Sequence, residues 1–130
     1  MTGCVLDTDV VIGALDRQDA HHRRASSLLL RMLDDGASLY LSVVNYAEAL
    51  VKPSEEEVTL ERAVAAITAL RIELHAPDAA IARAAARLRE LNISLADGFA
   101  LATARQLGAE VASFDARVRA AARKAGLALA

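Results

Sequence analysis

Carboxylates that follow the predicted strands are where this sequence can do chemistry. Asp7-Thr8-Asp9 directly follows the apolar run Val5-Leu6. Ser42, Asn45 and, further along, Glu48 follow the run Ser38 to Leu41. Ser113 and Asp115 follow Glu110 to Ala112, and Asp97 stands near the start of a helix that opens at Ser94. Ligands of open parallel sheets bind beyond the carboxyl ends of the strands, so acids at four places can gather at one sheet edge. Acids held close together cannot all ionise without a cation. An all-oxygen donor set with no Cys or His cluster favours hard Mg²⁺ or Mn²⁺ over Zn²⁺.

Each acid also has a structural explanation. Asp7 or Asp9 can cap a short helix at Val10, and Asp115 can cap one at Ala116. Ser94-Leu95-Ala96-Asp97 is a variant capping box. Glu48 resists that reading, because it lies within a predicted helix four residues after Val44 and three before Val51. That spacing places it on a face with apolar neighbours, where an unpaired acid costs several kcal/mol. The alternative is a surface pair with Lys52, four residues on. Asp97 shows the same conflict, sharing its face with Ala100, Leu101 and Ala104.

The elements that must position these residues alternate along the chain. Strands are expected at Val5-Leu6, Ser38 to Leu41, Arg71 to Leu74, Glu110 to Ala112 and Leu127 to Leu129. Helices are expected at Val10 to Leu15, Ala20 to Leu33, Ser42 to Lys52, Pro77-Asp78 to Leu91, Ser94 to Leu107 and Ala116 to Ala125. Ser54-Glu55-Glu56-Glu57 reads as a capping box that opens a further helix to Leu70. Short strands alternating with helices predict an α/β fold, a parallel sheet covered by helices on both faces. With no repeat, linker or low-complexity tract, a single domain over residues 1–130 is expected.

Composition narrows the class. Hydrophobic residues at 55% and charged residues at 25% describe a globular chain and exclude bulk disorder. The single Cys4 excludes a disulfide framework and reads as a small buried hydrophobe. No apolar run is long enough to span a membrane and no signal-peptide pattern opens the chain, so a soluble cytoplasmic protein is expected. The net charge of −2 neither announces nor excludes a nucleic-acid partner, because local patches decide. Arg17, Arg23 and Arg24 near the first helices, and Arg117, Arg119, Arg123 and Lys124 near the last, can form a basic rim or ordinary solvated faces. His21, His22 and His75 read as solvated, and no glycine-rich phosphate loop is present.

The chain resembles the PIN-domain ribonucleases. Val5-Leu6-Asp7-Thr8-Asp9-Val10-Val11-Ile12 looks like their opening motif, and Ser42-Val43-Val44-Asn45-Tyr46-Ala47-Glu48-Ala49-Leu50 like their second. Leu95-Ala96-Asp97-Gly98-Phe99-Ala100-Leu101-Ala102-Thr103-Ala104 looks like the third. Val111-Ala112-Ser113-Phe114-Asp115 looks like the fourth, usually Thr-x-Asp and here with Ser. Any one motif is weak, but four in register across a chain of 130 residues are strong. Within the family a free-standing chain of this size is similar to the VapC-type toxins of type II toxin–antitoxin modules.

The resemblance implies a three-layer sandwich around a parallel sheet of four to five strands. It implies a Mg²⁺- or Mn²⁺-dependent endoribonuclease that inhibits translation or growth, forms a homodimer and is held by a cognate antitoxin. Asp7, Glu48, Asp97 and Asp115 would be the metal-binding acids, with Ser113 a supporting hydroxyl. Asp9 stands where many relatives carry another small polar residue and is outside that set.

Two other readings compete. Asp7 and Asp9 after a strand also resemble the first motif of haloacid-dehalogenase-type phosphatases, but that chemistry leaves Glu48 and Asp97 without roles and lacks a well-placed Lys. A non-catalytic PIN-like module that binds RNA or protein is the third possibility, and the presence of all four acids argues against it.

Overall fold

The structure, a computed structural model, describes residues 3–130. Four strands, β1 (Gly3–Leu6), β2 (Ser38–Ser42), β3 (Ile72–His75) and β4 (Glu110–Ala112), form one parallel sheet in the order β3-β2-β1-β4. Seven α-helices connect and cover them: α1 (Thr8–Leu15), α2 (His22–Asp34), α3 (Val43–Ala49), α4 (Glu57–Ala69), α5 (Ala79–Leu88), α6 (Leu95–Leu107) and α7 (Ala116–Lys124). The α/β sandwich expected from alternating patterns is the one observed.

Side chains leave a strand on alternate faces, and the sheet divides its core accordingly. Cys4, Leu6, Leu39, Leu41 and Ala112 point to a layer filled by Val10, Val11, Ala25, Leu29 and Ile67 from α1, α2 and α4. Val5 and Val111 point the other way, against Ile81, Ala85, Leu101, Ala104, Val118 and Ala121 from α5, α6 and α7. With few aromatics, tight approach does the packing. Gly98 on α6 meets α5 so closely that an added Cβ would stand 2.7 Å from the Ala85 carbonyl oxygen.

Chain order places a switch point at the sheet's carboxyl edge. From β1 the chain steps outward through β2 to β3, then returns to lay β4 on the opposite side of β1. Loops leaving β1 and β4 therefore diverge and open a crevice between them. Asp7 leaves β1 there, and its N–H donates to the Ala112 carbonyl of β4 at 2.9 Å.

Several expected boundaries move, each for a local reason. Helix α1 begins at Thr8 because Asp7 itself caps it, accepting from the Thr8 N–H. α2 begins at His22, after turns in which Asp16 and Asp19 side chains take backbone donors from Gln18 and His21. α3 stops at Ala49, short of Lys52. The expected Ser54–Glu57 capping box does not form. Ser54 Oγ donates back to the Leu50 carbonyl, Pro53–Glu55 is a 3₁₀ turn, and α4 starts at Glu57 without a side-chain cap. The helix expected to reach Leu91 ends at Leu88 and tightens to a 3₁₀ turn over Arg89–Leu91. The expected last strand is a single bridge, Leu129 beside Val111, so the sheet has four strands among the described residues.

Candidate active site

Asp7 is the centre of the site. It is 2% exposed, because α1 and the β4 loop close over the end of β1. Its Oδ1 accepts from the Thr8 N–H at 2.9 Å, and its Oδ2 accepts from Ser113 Oγ at 2.7 Å. Ser113, also 2% exposed, accepts in turn from the Asp115 N–H at 3.1 Å. One hydroxyl thus ties the acid after β1 to the turn after β4.

Burial dominates the electrostatics. It pushes the Asp7 carboxyl from 3.8 up to about 7; the Ser113 hydrogen bond opposes the rise, and the charges of Asp9 and Asp97 add to it. Asp9 is raised as well, chiefly by burial, with the nearby Asp115 contributing. Its Oδ2 accepts from the Phe114 N–H at 3.0 Å, while its Oδ1 is buried without a hydrogen-bond partner among the described residues. Asp97 enters from α6. There the predicted capping box is complete: Ser94 Oγ accepts from the Asp97 N–H at 3.1 Å and Asp97 Oδ2 accepts from the Ser94 N–H at 3.0 Å. The cap fixes the Asp97 side chain, half-buried, at the edge of the crevice.

The fold draws Asp7, Asp9, Asp97, Ser113 and Asp115 into one neighbourhood, but it treats the acids unequally. Asp115 is exposed and caps α7, its Oδ1 accepting from the Arg117 and Val118 N–H groups at 2.8 and 3.3 Å. Glu48 is exposed rather than facing the core, which corrects the expectation from its spacing. The face it shares is not a core face: Val44 is only half-buried, and Val51 lies beyond the end of α3, 70% exposed. The same early end of α3 removes the helical register that would pair Glu48 with Lys52. None of the hydrogen bonds joining Asp7, Ser113 and Asp115 reaches the Glu48 side chain.

Two polar residues do more than sequence reasoning assigned them. Asn45 is fully buried, and its Nδ2 donates to Thr8 Oγ1 at 3.0 Å and to the Ala96 carbonyl at 3.2 Å. It fastens α3 to the first turns of α1 and α6, the turns that carry Asp9 and Asp97. The available signal was its place, directly after the second strand and inside a motif otherwise read for its Glu. Thr8 is the other, 6% exposed and held by Asn45. The histidines correct the solvated reading. His21 stacks against Phe114 with ring centroids 4.9 Å apart, and His22 Nδ1 is 2.8 Å from the Gly13 carbonyl. His75 ends β3, half-buried.

The donor chemistry suits a hard divalent cation: several carboxylates, one of them resisting ionisation, and a buried carboxylate oxygen without a partner. No three Asp, Glu, His or Cys side chains among the described residues are grouped closely enough to make a complete cage. Mg²⁺ ordinarily uses only one or two carboxylates, completing its shell with water and substrate phosphate, so an open acidic crevice is compatible with it.

Comparison with known proteins places this arrangement in a family. The profile of the PIN domain matches residues 4–124, and the chain belongs to the PIN domain family. That membership displaces the phosphatase reading of Asp7 and Asp9. Among similar solved structures is FitAcB from Neisseria gonorrhoeae, 26% identical, with a TM-score of 0.69 over 97% of this chain and 95% of that one. VapBC2 from Rickettsia felis, bound to a DNA fragment of its promoter, is 18% identical with a TM-score of 0.71 over 98% and 97%. VapC20 from Mycobacterium tuberculosis, a toxin that cleaves the sarcin-ricin loop, is 20% identical with a TM-score of 0.71 over 91% and 94%. Comparison with curated protein sequences finds no match. No helix among the described residues is long and apolar enough to cross a membrane.

Proposed function

We propose that this protein is a Mg²⁺- or Mn²⁺-dependent endoribonuclease acting as the toxin of a toxin–antitoxin pair. The observation that carries the reading is Asp7: buried at the switch point, pushed up to about 7, and surrounded by Asp9 and Asp97. A carboxylate placed so that its ionised form is unfavourable is suited to a bound cation, which restores that form. Asp7 and Asp97 would hold the ion, with Asp115 at the exposed rim and Glu48 contributing from α3 as the family resemblance implies. Bound there, such an ion would supply an acidified water and would offset charge growing on the phosphoryl oxygens.

The chain's own residues do the positioning. Ser113 keeps one Asp7 oxygen oriented through its hydroxyl, and the Thr8 N–H holds the other. Asn45 keeps the turns bearing Asp9 and Asp97 at a set separation by bridging Thr8 and Ala96. Arg119, whose Nη1 donates to the Ser113 carbonyl at 3.1 Å, sets a cation at the mouth of the acidic crevice, where an RNA phosphate must arrive.

Antitoxin pairing is supported by the similar structures, which include a toxin–antitoxin complex from Klebsiella pneumoniae. A cognate antitoxin, a homodimer, a cytoplasmic location and inhibition of translation or growth complete the proposal.

The test is cleavage of a mixed cellular RNA pool by purified, antitoxin-free protein in Mg²⁺, Mn²⁺ or EDTA, wild type against D97N, with both folds checked by circular dichroism. Discrete fragments that need the metal and vanish in the folded variant are expected. Absence of cleavage by wild type under every metal condition refutes the nuclease and leaves a binding module.

A further inference from the structure

Beside the acidic crevice lies a groove of about 580 Å³ whose charge is the opposite. Arg23, Arg24 and Arg31 of α2 and Arg119 of α7 line it around Phe114; no lining side chain is acidic, and Ala130, which carries the terminal carboxylate of this chain, also lines it. Arg23, Ser27 and Arg31 recur at i, i+4 and i+8, one face of α2 extending over about 12 Å. Two of the guanidinium groups are held in place. Arg24 lies over the Phe114 ring, 4.3 Å from its centroid, and Arg119 is anchored on the Ser113 carbonyl at 3.1 Å.

Four guanidinium charges around one groove outweigh the single terminal carboxylate at Ala130 and attract an anion. Guanidinium forks match phosphate and carboxylate geometry alike. The groove's neighbour decides between them. Ser113 belongs to both places: its carbonyl holds Arg119 in the groove, and its hydroxyl holds Asp7 in the crevice. A ligand lying along the arginines therefore meets the acids within a residue's breadth, and a phosphodiester chain gives those acids something to act on, as an acidic peptide does not.

We propose that the α2–α7 groove is the track for the RNA strand flanking the scissile bond, with Arg23, Arg31 and Arg119 contacting its phosphates. The proposal rests on the nuclease reading and specifies how its substrate is held. Phe114 is already stacked by Arg24 and His21, so the groove offers no ready platform for a base. Recognition here is of the backbone, which sets affinity and register and leaves base identity to be read elsewhere.

The experiment uses a short fluorescein-labelled, 2′-O-methyl single-stranded RNA, which binds without being cut. Anisotropy is measured in EDTA across a salt series for wild type, R23Q/R31Q, D7N and R83Q, the last an exposed arginine of α5 outside the groove. Each phosphate of a single strand that the protein no longer neutralises flattens the log K against log salt slope by about 0.7. R23Q/R31Q is expected to bind at least tenfold more weakly at low salt, with the slope flattened by about 1.4 because two arginines are neutralised. R83Q should match wild type, and D7N should bind at least as tightly as wild type while failing to cut natural RNA. On cleavable RNA the defect of R23Q/R31Q appears in KM.

The proposal is overturned if wild type does not bind the RNA, or if R23Q/R31Q binds with the wild-type affinity and slope. The second result assigns the groove to another anion, such as an acidic protein segment. Failure of wild type to cleave, with binding and slope as described, refutes the nuclease and spares the groove, so the two failures are distinguishable.

Discussion

Replacing Asp7 by Asn should make the protein more stable at alkaline pH while abolishing cleavage. The side chain is 2% exposed, and burial raises its carboxyl from 3.8 to about 7. The unfolded chain thus releases this proton at a lower pH than the folded one. The native state keeps its full advantage below 3.8 and loses it progressively as pH rises through about 7. By pH 8.5 the gap between 3.8 and about 7 weighs against the wild type by about 4 kcal/mol, a large share of a typical domain's stability. Asn has the same shape, carries no charge and can still accept from the Thr8 N–H. Allowing for an imperfect bond to Ser113, D7N should exceed wild type by about 2 to 4 kcal/mol at pH 8.5. At pH 3.5, where Asp7 is protonated in the native state and mostly protonated in the unfolded chain, the two proteins should agree within about 1 kcal/mol. Urea unfolding in EDTA at both pH values reads the difference; acids remote from Asp7 titrate alike in both proteins and cancel, while Asp9 and Asp97, relieved of its charge in D7N, add to the excess at pH 8.5. Adding Mg²⁺ at pH 8.5 should stabilise wild type more than D7N, because a ligand of the native state shifts unfolding by mass action. A D7N protein no more stable than wild type at pH 8.5, or an excess that persists at pH 3.5, would refute the account of Asp7 as a buried acid waiting for a cation.

Two further substitutions test how the site is held. S113A removes the donor to Asp7 and the acceptor for the Asp115 N–H; it should cost about 1.5 to 3 kcal/mol at pH 8 and depress metal-dependent cleavage, with S113T, which keeps the hydroxyl, restoring both. N45A deprives Thr8 and the Ala96 carbonyl of their buried donor and should cost about 1 to 3 kcal/mol by urea unfolding. If Asn45 positions the acids as well as stabilising the fold, cleavage by N45A should stay depressed at temperatures where the variant is fully folded.

Local pattern was enough for much of this protein, because much of it is decided locally. The strand-to-loop junctions at Asp7 and Ser113 and the capping box at Ser94 and Asp97 are short-range signals, and all appear in the structure. The layered fold follows from alternating periods that can bury apolar faces in few other ways. The acids near residues 7, 97 and 115 were legible for the same reason: each stands where a strand ends or a helix begins.

Tertiary structure decided what spacing could not. Glu48 looked inward by helical arithmetic, yet the early end of α3 leaves its face exposed. Ser54 had the spacing of a cap but donates its hydroxyl to the Leu50 carbonyl after Pro53 redirects the chain. Asn45 gained its importance from Thr8 and Ala96, 37 and 51 residues away in sequence. Asp7 owes its raised carboxyl to burial at the end of β1 and to the charges of Asp9 and of Asp97, the latter brought from α6. The groove needed Arg31 from α2 beside Arg119 from α7, a meeting that no window of sequence contains. Residue type and spacing determine which groups are available and which element carries each. Desolvation and partnership depend on which elements pack together, so the chemistry of those groups is set only when the sheet closes.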